Sequence, residues 1–326
     1  MINVIYGGSP EASATALETL LKESLNGKFK IVGVLTNPPS TKGRHSDLIP
    51  TPVAQVAQAW NLSQNDNIKI LTPQHIKEAE REELRSLNPD IFVCFAYGHI
   101  LGPKFFSLFR LGGINLHPSL LPKYRGATPV NSAIINMDKE SGFSVQKMSL
   151  GIDEGDLLVQ KKITLTGNET TEYLLNWSAR EGSSSICDIL DYISDNNMLP
   201  DSTPQTGEAS YCHMIEKEDG KIDWNKSAAA IDAQIRAYTP WPGCYTTCNG
   251  VTLKILNAIT ADMAGLKVSS DAKIGTVIEY NKSHGILFQT GDGILVAREL
   301  QWQAKKAMDY KSFMNGARNF VGSIME

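Results

Sequence analysis

The chain has 326 residues, of which 42% are hydrophobic and 20% charged, and its formal net charge is −4. That length accommodates two domains with sizeable cores, and the composition is ordinary for a globular protein. The start, Met-Ile-Asn-Val-Ile-Tyr-Gly-Gly, lacks a basic region and a long apolar run, and no stretch approaches the roughly 20 apolar residues of a membrane helix, so signal-peptide and membrane readings are set aside and a cytoplasmic location is expected.

Residues 2–6 read as a buried strand, followed by the turn Gly7-Gly8-Ser9-Pro10 and a helical pattern over 11–22. Apolar strands at 31–36, 68–71 and 91–95 alternate with helical patterns at 52–60 and 76–86, the signature of a parallel α/β sheet. The turn after the first strand does not have G-x-G-x-x-G spacing and no such fingerprint follows, so the Rossmann-like frame does not imply a dinucleotide. Residues 141–148 and 157–166 alternate as strands, and 171–193 is a long helical pattern. Residues 195–208 are rich in Asn, Pro, Ser, Thr and Gly and are the best linker candidate, giving a first domain over 1–194 and a second domain over 209–326. In that second domain a helix over 228–237 is joined by short β patterns at 245–248, 252–259, 275–280, 285–290 and 293–300, which suggests a small barrel.

The five cysteines are scattered; Cys244 and Cys248 have no second Cys or His pair at metal-ligand spacing, so free buried thiols are expected and no metal. From Ala209 onward there are 13 basic and 12 acidic residues, so bulk charge gives little support for a nucleic-acid partner, and a local cluster would have to carry one.

The stretch Gly113-Ile-Asn-Leu-His-Pro-Ser-Leu-Leu-Pro-Lys-Tyr-Arg-Gly126, followed by Gly151-Ile-Asp-Glu-Gly-Asp156, carries the chemistry. If residues 114–116 end a strand, Asn115 and His117 project from the same face, at the sheet edge where α/β proteins bind ligands. Asp153 lies 38 residues on, in a Gly-flanked loop that can return beside them. Singly, such residues read as a strand-end cap, a loop histidine and a turn former. Together an amide donor, an imidazole and a carboxylate suit attack of a neutral nucleophile on a carbonyl carbon, and suit hydride transfer poorly.

N-L-H-P-S-L-L-P-K-Y-R-G-A-T-P with the downstream G-I-D-E-G-D resembles the folate-dependent formyltransferases, most nearly those acting on methionyl-tRNA, over almost the whole chain. Supporting motifs are A-Y-G-H-I-L from Ala96, I-D-W-N-K-S from Ile222, I-R-A-Y-T-P-W-P-G from Ile235, T-G-D-G-I-L from Thr290 and A-K-K-A-M from Ala304. The resemblance implies an oligonucleotide-binding-type barrel for the second domain, 10-formyltetrahydrofolate as donor and initiator methionyl-tRNA as acceptor, with no obligate protein partner. It implies that Asn115, His117 and Asp153 are catalytic, Asp153 raising the pKa of His117. It places the folate against Ser119, Leu120, Leu121 and Pro122, with a cis Leu121–Pro122 bond, and against the backbone of Tyr97, Gly98, Ile100 and Leu101, with Ile100 and Leu101 covering the pterin faces. Residues 37–50 form a long Pro- and Gly-containing loop, of a kind that is usually functional or disordered; the resemblance implies that Lys42 and Arg44 in it contact the tRNA acceptor end, and they are expected to become ordered only on binding. The nearest rival is a formyltransferase acting on an amino-sugar nucleotide; the loop and the W-P-G segment favour tRNA.

Overall fold

In the computed structural model, which describes residues 1–41, 47–317 and 319–326, the chain divides into two compact units. The first comprises residues 1–129, 141–163 and 172–211, and the second comprises 130–140, 164–171 and 212–326.

The first unit is built on a seven-stranded sheet. In spatial order its strands are Leu157–Thr164, Glu140–Lys147, Gly113–His117, Ile91–Cys94, Ile2–Gly7, Phe29–Leu35 and Lys69–Leu71. The last five run parallel, and Glu140–Lys147 is antiparallel to Gly113–His117. Strand alternation sorts the side chains between two cores: Val4, Tyr6, Val93, Ile114 and Leu116 face one, Ile5, Phe92 and Cys94 the other. Helices Glu11–Ser24 and Thr171–Asn196 cover the first of these faces with Leu17, Leu20, Leu21, Ile186 and Leu190. The long helix comes close because Gly182 has no side chain; a Cβ there would sit 2.4 Å from Leu116.

Strand order reverses between Ile2–Gly7 and Ile91–Cys94, and beyond the carboxyl ends of such a pair lies the crevice in which α/β sheets bind ligands. Gly8 lies there because nothing larger fits: a Cβ would be 1.8 Å from the Ser13 hydroxyl and 2.6 Å from the Phe95 carbonyl oxygen. Gly113–His117 is the next strand outward, with Asn115 in register with Cys94.

Two expectations need adjusting. The helix expected over 76–86 begins at Glu78, where Glu80 reaches back to accept from the Lys77 backbone N–H. The expected boundary at 194 falls inside helix Thr171–Asn196. The polar segment after it is tied to the first unit by a two-way backbone pairing of Thr203 with Leu157 (2.8 and 2.9 Å). Composition marks a segment without a core of its own; it does not reveal that the backbone borrows partners from a neighbouring strand.

The second unit carries an antiparallel sheet ordered Cys244–Cys248, Val251–Thr260, Ile294–Trp302, Gly285–Gln289 and Val277–Asn281, with Met308–Asp309 added beside Ile294–Trp302. Asn249 and Gly250, both at positive φ (50° and 76°), make the two-residue hairpin turn between its first two strands. Helix Ala228–Tyr238 buries Ile231 and Ile235 in the same core as Leu253, Phe288 and Leu300, and Trp224 stacks on Phe288. Cys244 and Cys248 point into this core as free thiols, and burial pushes the Cys244 pKa up to about 12. Among the described residues no helix is long and apolar enough to cross a membrane.

Candidate active site

Ile114 and Leu116 are buried in the core of one sheet face, so Asn115 and His117 project from the other, at the carboxyl end of their strand. The antiparallel neighbour places Gln146 opposite Asn115 and Ser144 opposite His117. The chain then turns through residues 118–126, where Ser119 N–H donates to the His117 carbonyl (2.8 Å) and Ser119 Oγ donates to the Lys123 carbonyl (2.6 Å). Asp153 arrives on a loop closed at its base by Lys147 N–H to Asp156 O (2.9 Å) and by Gly155 N–H to Gln146 Oε1 (3.2 Å). Asp153 itself adopts φ 56°, a left-handed conformation that Asp tolerates better than most residues.

This loop brings the three expected residues together. Asp153 Oδ1 accepts from Gln146 Nε2 at 2.8 Å and, more loosely, from Asn115 Nδ2 at 3.4 Å. Asp153 Oδ2 accepts from the Gly126 backbone N–H at 2.8 Å and lies 3.4 Å from His117 Nδ1. His117 Nε2 is 2.8 Å from the Tyr124 carbonyl oxygen, which can only accept, so this nitrogen carries the ring proton. Nδ1 therefore presents its lone pair toward the carboxylate, and the pair has room for one more proton between its members. Asn115 has a second amide N–H beyond the one directed at Asp153, available to an oxyanion.

His117 is 4% exposed. Burial pushes its pKa below the ordinary 6.5; the Asp153 charge and the Tyr124 carbonyl pull upward but do not overcome the loss of solvent. The expected upward pull of Asp153 on His117 is present, and burial outweighs it, so the net shift is downward. Sequence spacing shows that a carboxylate is near, not how dry the site is.

The expected donor segment is closely braced by hydrogen bonds. Ser119, Leu121 and Pro122 are buried, with Leu120 half-buried, and the Leu121–Pro122 bond is cis as expected. Ser144 Oγ donates to Ser119 O (2.8 Å) and accepts from Leu121 N–H (3.1 Å), and Gln160 Nε2 donates to Leu121 O (2.9 Å). In the other segment, the Tyr97 and Leu101 side chains pack into the second core of the first unit, leaving Gly98 and the 91% exposed Ile100 facing outward. Among the described residues no backbone hydrogen bond uses the peptide groups of 98–101. Leu101 packs into that core and also lines the adjoining cavity, and Ile100 is the exposed apolar side chain of the loop. His99 stacks on Tyr97 (4.6 Å) and bonds Asn37 Oδ1 through Nε2 (2.8 Å). A cavity of about 670 Å³ opens against this loop, lined by His75, Arg81, His99, Ile100 and Lys104 among others, but not by Asn115, His117 or Asp153.

Lys42 and Arg44 lie outside the described residues. The loop that carries them has a short antiparallel stem, Ser40–Thr41 against Leu48–Ile49, and its root is held by Thr36 Oγ1 to Thr51 Oγ1 (2.7 Å) and Asn37 N–H to Ser9 Oγ (3.1 Å). Sequence reasoning did not identify Gln146, which orients both Asp153 and the loop base. A signal was available: Ser144 and Gln146 are buried polar residues alternating with Phe143 and Val145, a pattern that points two hydrogen-bonding side chains at one place.

The chain matches the family described as Formyl transferase over residues 1–190, and the Formyl transferase C-terminal domain over 214–318. The chain belongs to the formyl transferase family. It is therefore a one-carbon group transferase. It is 40% identical to a protein of Treponema denticola named methionyl-tRNA formyltransferase, covering 98% of both chains, and 36% identical to one of Borreliella burgdorferi with the same name, covering 96% of both. Among solved structures it resembles an N-formyltransferase from Helicobacter canadensis in complex with folinic acid and dTDP-3-aminofucose (TM-score 0.62, 21% identity, 93% of this chain and 100% of that one). It also resembles HypX from Aquifex aeolicus (TM-score 0.64, 12% identity, 98% of this chain and 48% of that one). At these identities the structures speak to the fold.

In this formyl transferase the Asp153 loop depends on Gly155. A Cβ there would lie 1.7 Å from the Lys147 carbonyl oxygen, a backbone atom with no room to yield. Gly155→Ala is expected to displace Asp153 and lower kcat about 10²-fold, the size of a misplacement of about 1 Å. Steady-state kinetics, with far-UV circular dichroism to confirm the fold, checks this; an unaltered kcat would show that the loop adapts.

Proposed function

We propose that this formyl transferase moves the formyl group of 10-formyltetrahydrofolate to the α-amino group of initiator methionyl-tRNA, in the cytoplasm, with Asn115, His117 and Asp153 as the catalytic residues. The observation that carries the reading is the return of Asp153 onto a strand-end Asn and His, leaving one Asn115 N–H and the His117 Nδ1 lone pair for the reaction. The open peptide groups of 98–101 fit the amide-like edge of a pterin, beside an exposed Ile100.

The acceptor amine attacks as the neutral base; a free α-amino group titrates at roughly 7.7 to 8.0, and an adjacent ester lowers this further. A C–N bond forms to the formyl carbon and the formyl oxygen becomes negative, where the Asn115 N–H stabilises it. The ammonium proton passes to the vacancy between His117 Nδ1 and Asp153 Oδ2. Collapse of the intermediate breaks the bond from the formyl carbon to N10 of the folate, which takes up that proton. Buried His117, neutral near pH 7, begins the cycle ready to accept.

The tRNA is read, in this proposal, by Lys42 and Arg44 and by the second unit. Similarity of the sequence to tRNA-acting relatives over nearly its full length supports this. Formylation by purified protein of charged initiator tRNA, elongator methionyl-tRNA and a nucleotide-linked amino sugar, offered in turn, tests the acceptor; preference for the sugar would overturn it. Arg44→Ala is expected to weaken use of methionyl-tRNA by about 1 to 3 kcal/mol, the range of a charge-assisted hydrogen bond, with donor KM unchanged. Unaltered kinetics across a salt series would remove the loop from the reading.

A further inference from the structure

Gln205 stands outside every motif of the sequence, in a segment whose composition reads as a linker, yet its carboxamide bonds both loops that frame the candidate site. Its Nε2 donates to the Asp153 carbonyl (2.8 Å) and to the Gly155 carbonyl (2.8 Å), and lies 3.4 Å from Gln146 Oε1. Its Oε1 accepts from Arg125 through Nε (3.2 Å) and Nη2 (2.8 Å). Around it the same segment is stitched on both sides. Thr203 pairs with Leu157 just after the Asp153 loop, Ser210 N–H donates to Pro122 O (3.2 Å), Ser210 O accepts from Arg125 N–H (2.8 Å), and Ser210 Oγ accepts from Tyr124 N–H (2.9 Å).

Residues 122–126 and 153–157 are the two pieces that converge on His117. One supplies the Tyr124 carbonyl that fixes the ring proton on Nε2, the other supplies the carboxylate facing Nδ1. Both pieces contain left-handed residues, Tyr124 at φ 56° and Asp153 at φ 56°, so each is held in shape by its partners and not by backbone preference. Among the described residues no other hydrogen bond to the Asp153 and Gly155 carbonyls is present. A carboxamide suits this place because it donates at one end and accepts at the other.

We infer that Gln205 is a positioning residue for the formyl transfer: it joins the Arg125 side of the site to the Asp153 loop and so sets the contact between Asp153 and His117. The inference rests on the proposed catalytic roles of those two residues. It also gives the connecting segment a duty in catalysis, since 203–210 completes the site.

Two variants separate this from a simple packing role. Gln205→Glu keeps the length and the acceptor for Arg125, so the segment stays anchored on that side, but it turns an oxygen toward two carbonyl oxygens and releases the Asp153 loop. Gln205→Met keeps the volume and removes every hydrogen bond without adding charge. Both are expected to lower kcat about 10²-fold with donor KM within about twofold. In Gln205→Met, with ring-labelled histidine and no substrate, His117 is expected to titrate at a lower pH than in the wild type, because Asp153 spends less time against Nδ1. Asp153 is the charged group that acts on this reporter, and on the far side of Gln205 Arg125 pairs with Glu154 (3.4 Å). Wild-type kcat in Gln205→Glu, or a fall in kcat with the His117 titration unmoved in Gln205→Met, would overturn the inference. If wild-type protein fails to formylate methionyl-tRNA, the acceptor assignment falls while the titration still decides whether Gln205 holds Asp153 on His117.

Discussion

Asp153→Asn is expected to lower kcat by about 10² to 10⁴, the range for loss of a positioned acid–base group. The substitution is nearly isosteric, so the effect isolates chemistry from volume. Both carboxylate oxygens are committed, Oδ1 to Gln146 and Asn115, Oδ2 to the Gly126 N–H and the Nδ1 edge of His117. A carboxamide has one acceptor oxygen, so its NH₂ must face either the Gln146 amide or the Gly126 N–H, donor against donor. It also removes the nearby negative charge that pulls the His117 pKa upward while burial pushes it down. The ring is therefore expected to titrate lower still in the variant, and single-turnover kinetics beside an NMR titration of His117 would read both effects. Near-wild-type turnover would mean that the ammonium proton leaves by another route.

His117→Ala is expected to lower kcat by about 10²-fold or more, as for loss of a general base, leaving donor affinity nearly intact because the expected folate segments are braced by Ser144 and Gln160. The pH dependence follows from the sign of the shift. His117 has a folded pKa below 6.5, so it is neutral near pH 7 and loses its capacity to accept a proton only below that value. Wild-type kcat should accordingly show an acid limb below 6.5 that the alanine variant lacks. Stability follows the same group: the buried neutral ring adds stability that is fully present above the unfolded pKa of 6.5 and is lost as pH falls through the folded value. His117→Ala should flatten that part of the stability curve, as urea titrations at pH 7 and pH 5 would show. If the acid limb persists unchanged in the variant, it belongs to another group.

What the linear chain determined by itself is whatever depends on periodicity and local chemistry. Alternation of apolar residues placed the strands, and period two put Asn115 and His117 on one face because Ile114 and Leu116 must take the core side. Gly7-Gly8 and the Gly-flanked Asp153 were readable as close turns for the same local reasons. The pairing of the triad, the fold class and the family were all legible from residues present in the sequence, whereas the role of Lys42 and Arg44 rests on likeness alone.

The tertiary structure decided everything that depends on what lies opposite. Gln146 reaches Asp153 only because Glu140–Lys147 runs antiparallel in a register that sets Gln146 against Asn115. Gln205 matters only because a polar segment folds back between two loops from distant regions of the chain. The proton on His117 is settled by a carbonyl on one side and by burial on all sides, and desolvation is a property of the assembled neighbourhood that no spacing of residues along a chain expresses.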